Sequence, residues 1–172
     1  RGFHADQLDF LHCSPQHMHA DLLQHLVRPE AFDKIVMLVR EPMARLKSEY
    51  AWQLQQKMTD LNPENWVGHV LSEYQNNHFI YDNHIRPQHE FLLQQGRVFK
   101  LEHDGVERAL DLVSPDPAGK SFLSNLVWRT SSVRLKETHK SQAVNAAFKK
   151  MKPIITDFYA RDYELLKYDA YD

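Results

Sequence analysis

Ile35-Val36-Met37-Leu38-Val39-Arg40-Glu41-Pro42-Met43-Ala44-Arg45-Leu46-Lys47-Ser48-Glu49-Tyr50 is the stretch whose reading decides the fold class. Its first five residues are a continuous apolar run, the pattern of a strand buried on both faces of a parallel sheet, so a central strand is expected there. Pro42 suits the first turn of a helix, and Met43, Leu46, Tyr50, Leu54 and Met58 follow at spacings of three or four. A strand therefore feeds a helix through a very short turn, with Arg40 at the junction. On that helix Arg45, Ser48 and Trp52 fall opposite the apolar stripe, at about 100° per residue. Ligands of open α/β sheets bind beyond the carboxyl ends of strands, where free helix N–H groups and a guanidinium can hold a phosphate together. The competing reading of Arg40 is a surface cation paired with Glu41 or another carboxylate.

Further along, Asn62-Pro63-Glu64 reads as the cap and first turn of a helix running through Trp66, Val70, Leu71 and Tyr74 to about Asn76-Asn77. Arg97-Val98-Phe99-Lys100-Leu101 has the β-branched and aromatic content of a second strand, and Val106 to Val113 is helical after it. Ser114 to Gly119 reads as a loop. Ser121 to Trp128 and Gln142 to Tyr159 are helical by pattern, the latter bent at Pro153. Strands alternating with helices indicate an α/β fold with a mainly parallel sheet flanked by helices. Repeats and linker-like tracts are absent, so residues 1–172 are expected to form a single domain.

The chain has 172 residues, 42% of them hydrophobic, enough to bury about two-thirds of the unfolded surface in one core. A net charge of −2 and a pI near 6.6 argue against a nucleic-acid partner and make any anion site local. Cys13 is the single cysteine and cannot form an internal disulfide, so no oxidising compartment is required and a cytoplasmic location is expected. No apolar run reaches the roughly 18 residues of a membrane span.

Upstream of the first strand, His12-Cys13-Ser14-Pro15-Gln16-His17-Met18-His19-Ala20-Asp21 places two histidines within a few residues. A neutral imidazole titrating near pH 7 is suited to take a proton in catalysis. His4, in a second His-Ala-Asp triplet, is a third candidate. Downstream, Asp82-Asn83-His84-Ile85-Arg86-Pro87-Gln88-His89-Glu90 is a polar loop whose Arg86 and Gln88 could hold an anionic or hydroxyl-rich molecule. Ala118-Gly119-Lys120-Ser121 is not a triphosphate-binding loop, because Ser114 stands where such a loop wants glycine and no strand precedes it.

The stretch from Ile35 to Tyr50 resembles the 3'-phosphate-binding motif of sulfotransferases, particularly the carbohydrate sulfotransferases of the heparan, dermatan and chondroitin type and their bacterial relatives. In that pattern a strand ends in Arg-(Asp/Glu/His/Asn)-Pro, followed by an Arg three residues past the Pro and a Ser three further on. Arg40, Pro42, Arg45 and Ser48 fit. The resemblance implies that Arg40 and Ser48 bind the 3'-phosphate of the donor, 3'-phosphoadenosine-5'-phosphosulfate (PAPS). The His-rich segment resembles the family's stretch carrying the catalytic base about twenty residues ahead of that Arg. His19 stands 21 residues before Arg40 and His17 stands 23, so the spacing favours His19 over His17. Residues 84–88 resemble a His-Trp-Arg-Pro-Gln segment of chondroitin-type members, with Ile85 in place of the aromatic. Phe158 to Tyr168 resembles the families' closing segment, where packing aromatics are expected. Lys136, His139, Lys140 and Ser141 lie where relatives bring a loop over the nucleotide.

By this resemblance the expected fold is the P-loop-nucleotide-kinase-like sulfotransferase fold. The expected activity is transfer of a sulfuryl group from PAPS to an acceptor hydroxyl on a glycan, with no metal. Relatives carry a Lys-Thr-Gly-Gly-Thr-like loop that grips the 5'-phosphosulfate. No such stretch occurs between Arg1 and Asp172, so the domain is expected to be N-terminally incomplete. Two other readings stand beside this one: a degenerate nucleotide- or partner-binding domain without chemistry, and a metal-dependent hydrolase using His17 and His19 with a carboxylate.

Overall fold

A computed structural model describes residues 11–114 and 140–170. His4, the expected helix from Ser121 to Trp128, the Ala118–Ser121 stretch, Lys136 and His139, together with the side chains of Lys140 and Ser141, lie outside the described residues.

The decisive stretch folds as read at its centre. Strand β1 spans Val36–Val39, and helix α2 spans Pro42–Gln55. The turn between them is held by Glu41, whose carboxylate accepts from the backbone N–H groups of Met43 at 3.0 Å and Ala44 at 2.6 Å. Those are two of the donors that a helix start leaves without partners. Helix α3, Pro63–Asn76, begins as expected, with Asn62 accepting from the N–H of Asn65 at 2.9 Å. Strand β2, Arg97–Lys100, runs parallel to β1 in the register Val36↔Arg97 to Val39↔Lys100, and helix α4, Gly105–Val113, follows. Gly105 is obligatory there, since a Cβ would sit 2.3 Å from the carbonyl oxygen of Lys100.

Three helices close the described chain: α5, Lys140–Lys150; α6, Lys152–Phe158; and α7, Ala160–Leu166. The expected bend is a full break at Met151, because Pro153 has no N–H to return to the carbonyl of residue 149. A short helix not expected from the sequence, α1, spans Ala20–Leu26 and packs against the turn Gln88–Phe91.

Among the described residues the sheet has two strands, β1 and β2, and β1 is paired there along one side. Of its residues only Val39 is fully buried, while Met37 and Leu38 line a cavity. An unbroken apolar run reads the same whether it is sandwiched between layers or forms an apolar cavity wall, and here part of it does the second. The core lies among helices instead: Leu46 and Tyr50 of α2, Trp66, Val67, Val70 and Leu71 of α3, Phe148, Ile155, Tyr159 and Tyr163 from the closing segment. The fold is thus mixed, helices around a small parallel sheet. No helix among the described residues is long and apolar enough to cross a membrane.

The apolar stripe of α2 also ends earlier than its spacing indicates. Leu54 is 38% exposed, and Met58 beyond the helix is 48% exposed. Gln53, polar by type, is fully buried, because its amide accepts from the indole N–H of Trp66 at 2.9 Å and donates to Glu49 at 2.8 Å. A buried amide is tolerated when both its ends are satisfied.

Candidate active site

A cavity of about 650 Å³ opens at the carboxyl end of β1. Arg40, Arg45, Ser48, Glu49 and Trp52 form one wall. Gln16, His17, Asn83, His84 and Gln88 contribute the other, with Met37, Leu38, Phe91 and Leu101 as apolar lining. The face of α2 opposite its apolar stripe is therefore the cavity face, as the helical spacing indicates.

Arg40 is fixed by its backbone. Its N–H donates to Oε1 of Gln88 at 2.9 Å, and its carbonyl accepts from Nε2 of the same amide at 2.7 Å. Gln88, 5% exposed and at the cavity wall, thus acts as a two-point clamp on the strand end. Its position is set in turn by Asp162, fully buried, which accepts from the N–H groups of Gln88 at 2.7 Å and His89 at 2.8 Å and from Nδ1 of His89 at 2.7 Å. The pairing of Arg40 with Glu41 does not form. Glu41 is committed to the start of α2 and to the hydroxyl of Tyr163 at 2.5 Å. Among the described residues the Arg40 guanidinium and the Ser48 hydroxyl line the cavity without a hydrogen bond or ion pair, and the charge of Arg40 helps hold the Glu102 carboxyl below its ordinary range.

Arg45 and Arg86 are spent inside the protein. Arg45 donates to the carbonyls of Arg86 and His84, both at 2.8 Å, tying the loop to α2. Arg86 is 4% exposed. It donates to Asn83 at 2.9 Å, to the carbonyl of His78 at 3.2 Å and to the carboxylate of Glu90, and stacks over Phe79. Arg86 does not line the cavity, and its guanidinium has no face left for an acceptor.

The two histidine candidates separate. His17 lines the cavity, and its Nδ1 lies 2.6 Å from Oδ2 of Asp82. A carboxylate only accepts, so Nδ1 carries the ring's proton and Nε2 of the neutral imidazole keeps its lone pair. Asp82 also accepts from the N–H of Ser14 at 2.5 Å and the Ser14 hydroxyl at 2.7 Å. Burial pushes the Asp82 carboxyl up, but the hydrogen bonds from Ser14 and His17 outweigh it, and the net shift is below the usual carboxylate range. Its backbone is unusual: Tyr81, Asp82 and Asn83 have φ of 48°, 57° and 67° in succession. Left-handed residues other than glycine cost about 1 kcal/mol or more each, and such runs persist where surrounding contacts hold them. Here Asn83 donates to the carbonyl of His17 at 2.8 Å, closing the turn on the segment that carries the histidine.

His19 caps α1 and packs its ring against Phe79 at 5.8 Å, outside the cavity lining. Its Nδ1 is buried without a partner among the described residues, and burial, with the charge of Arg86, lowers its affinity for a proton. The spacing favours His19; the geometry brings His17 to the cavity.

Two residues that the sequence did not single out complete the site. His84 lines the cavity with its Nδ1 2.9 Å from Oε2 of Glu49, and its ring meets that of His17 edge-on at 4.6 Å. The only sequence signal for Glu49 is its place four residues after Arg45, on the same helix face. His17, Asp82 and His84 are also a group that could hold a metal ion, with donor atoms within 4.8 Å of one another. Both histidines give Nδ1 to a carboxylate, which leaves Nε2 of each ring facing outward from its pair. His19, which the hydrolase reading needs, is not part of this group.

Comparison with known proteins adds one match. Residues 7–169 fit the family model described as the sulfotransferase family. Searches of curated proteins and of solved structures each returned no match.

Proposed function

The chain belongs to the sulfotransferase family, and from that premise we propose that it moves a sulfuryl group from PAPS to an acceptor hydroxyl, on a carbohydrate, in the cavity beside β1. The observation that carries the proposal is the meeting, at one cavity, of an arginine and a serine that make no side-chain hydrogen bond among the described residues and a histidine aligned by a carboxylate.

In this reading the 3'-phosphate of the donor takes the Arg40 guanidinium and the Ser48 hydroxyl, with Arg40 presented by the Gln88 clamp. His17 is the base. Its Nε2 removes the acceptor proton as the oxygen attacks sulfur, and Asp82 fixes the ring and stabilises the imidazolium that results. The acceptor O–S bond forms as the bridging O–S bond of the donor breaks, and adenosine 3',5'-bisphosphate leaves with the electron pair. Trp52, on the cavity face of α2, offers an aromatic surface to the donor or the sugar. Arg86 and Gln88 act at one remove, by holding the loop and the strand end.

The test is transfer of labelled sulfate from PAPS to a panel of glycans, phenols and lipids. His17→Ala should lower turnover about 10²- to 10⁴-fold, the usual contribution of a general base, and leave the affinity for adenosine 3',5'-bisphosphate nearly unchanged. His19→Ala should do much less. A chain that transfers sulfate and keeps full turnover after His17→Ala removes His17 from the role, and the opposite order of the two variants assigns it to His19.

A further inference from the structure

Strands β1 and β2 end side by side, with Val39 opposite Lys100. Past each end a glutamate follows a cavity-lining residue, Glu41 after Arg40 and Glu102 after Leu101. The backbone N–H of Glu41 donates to Oε1 of Glu102 at 2.9 Å, so both carboxylates stand at the junction that carries Arg40. Guanidinium and carboxylate match in charge and in fork geometry, so each glutamate is a competitor for any anion that Arg40 is to bind. Among the described residues Arg40 forms an ion pair with neither.

Both carboxylates are held by other donors. Oε1 of Glu41 accepts from the N–H of Met43 at 3.0 Å and the hydroxyl of Tyr163 at 2.5 Å, and Oε2 accepts from the N–H of Ala44 at 2.6 Å. Glu102 is held by less. Its Oε1 takes the Glu41 N–H, and its Oε2 takes the hydroxyl of Tyr168 at 2.9 Å, the one side-chain donor it meets among the described residues. Burial pushes the Glu102 carboxyl up, but these hydrogen bonds and the charge of Arg40 outweigh it and hold it below the usual carboxylate range. Glu102 is therefore a full negative charge that already feels Arg40.

The place of Tyr168 is set from two sides. Lys167, at φ 54°, ends α7, and the N–H of Tyr168 returns to the carbonyl of Tyr163 at 3.0 Å. Lys100, the last residue of β2, sets its ammonium 4.1 Å from the centre of the Tyr168 ring and donates to the carbonyl of Lys167 at 2.5 Å. Burial and the bond to Glu102 push the phenol well above its ordinary range, so it stays a donor at neutral pH.

We propose that Tyr168 is a positioning residue for nucleotide binding: its hydroxyl holds the Glu102 carboxylate off the Arg40 guanidinium and so keeps that guanidinium for the 3'-phosphate. The inference rests on the reading of this cavity as the donor site. Without the hydroxyl, Oε2 of Glu102 loses its donor and turns to Arg40, the cation whose charge it already feels. The phosphate must then displace a carboxylate before it can bind.

Calorimetry of adenosine 3',5'-bisphosphate against wild type, Tyr168→Phe, Glu102→Gln and the double variant tests this. Tyr168→Phe should weaken binding about three- to fivefold, the size of an exposed ion pair that the phosphate has to break. Glu102→Gln should bind at least as tightly as wild type, since its amide still accepts from the Glu41 N–H and brings no charge to Arg40. The double variant should recover the affinity of Glu102→Gln, because a neutral amide does not pair with the guanidinium. Near-UV circular dichroism checks that each variant is folded, and Tyr168→Phe removes one oxygen from a half-buried side chain. If that variant does not fold, Tyr168→Trp, which also lacks the hydroxyl, takes its place in the same cycle. A Tyr168 that only braces the chain would give a loss that persists in the double variant, and that result overturns the proposal, as does a clear loss in folded Glu102→Gln. A wild-type chain that does not bind the nucleotide overturns the donor-site reading and the role of Tyr168 with it, whereas binding without rescue overturns the role of Tyr168 alone.

Discussion

The segment from Val36 to Trp52 and the turn from Phe79 to Phe91 both shape the cavity, and each carries an arginine that the sequence marks as an anion binder. In the first, Arg40 is held by its backbone, and among the described residues its guanidinium makes no hydrogen bond or ion pair, its charge being felt by Glu102. In the second, Arg86 is enclosed by Asn83, Glu90, His78 and Phe79. The same residue type does two jobs because of what surrounds it. A strand end opening onto a helix start cannot enclose a side chain. A tight turn with three left-handed residues folds around its own cation, which donates to Asn83, Glu90 and the carbonyl of His78.

The contrast can be broken most sharply by truncation. Arg86→Ala leaves buried Asn83 and the carbonyl of His78 without their donor and empties the space over Phe79, and should lower unfolding free energy by about 2 to 3 kcal/mol, as for buried polar groups left unsatisfied. Arg40→Ala should leave stability within about 0.5 kcal/mol of wild type, as for surface changes. Urea unfolding of both variants checks this, and equal losses would erase the distinction between the two arginines. A smaller effect is expected where the closing segment braces the same turn. Tyr159 is buried, its hydroxyl donates to the carbonyl of Ile85 at 2.8 Å, and burial pushes the phenol well above its ordinary range. Tyr159→Phe should cost about 1 to 2 kcal/mol for the carbonyl left without its donor, again read by urea unfolding.

The smallest effect sharpens the turn's link to His17. The Asp82 carboxyl is depressed in the folded chain, so its contribution to stability is present above the ordinary carboxylate range and is lost as pH falls through the lowered value. Asp82→Asn should flatten the loss of stability at acidic pH. A stability profile that is the same in both proteins would show that the Ser14 and His17 contacts do not hold the turn.

What the sequence made legible follows from the range of the interactions involved. The β1–α2 junction, the Asn62 cap, the α3 start and the cavity face of α2 rest on residues within a few positions of one another, where periodicity and capping chemistry act. Those readings needed only local rules. The pairing of Ser14 and His17 with Asp82 spans more than sixty residues, and that of Glu49 with His84 spans 35. No local pattern encodes such contacts. For the same reason spacing places His19 ahead of His17 while the geometry brings His17 to the cavity, and the local pattern does not show that Arg86 braces the loop or that Gln88, at the cavity, also clamps the strand end. An apolar run such as Ile35 to Val39 does not by itself reveal whether a face meets a layer or a cavity, and Met37 and Leu38 line the cavity.

The most direct test of the account is calorimetry of adenosine 3',5'-bisphosphate against wild type, Arg40→Ala and Ser48→Ala. The account expects Arg40→Ala to weaken binding by roughly 2 to 4 kcal/mol, as for a charged hydrogen-bond partner lost from a sheltered site, with Ser48→Ala weakening it less and both variants folded. Unchanged affinity in a folded Arg40→Ala would place the nucleotide elsewhere and contradict the assignment of this cavity as the donor site.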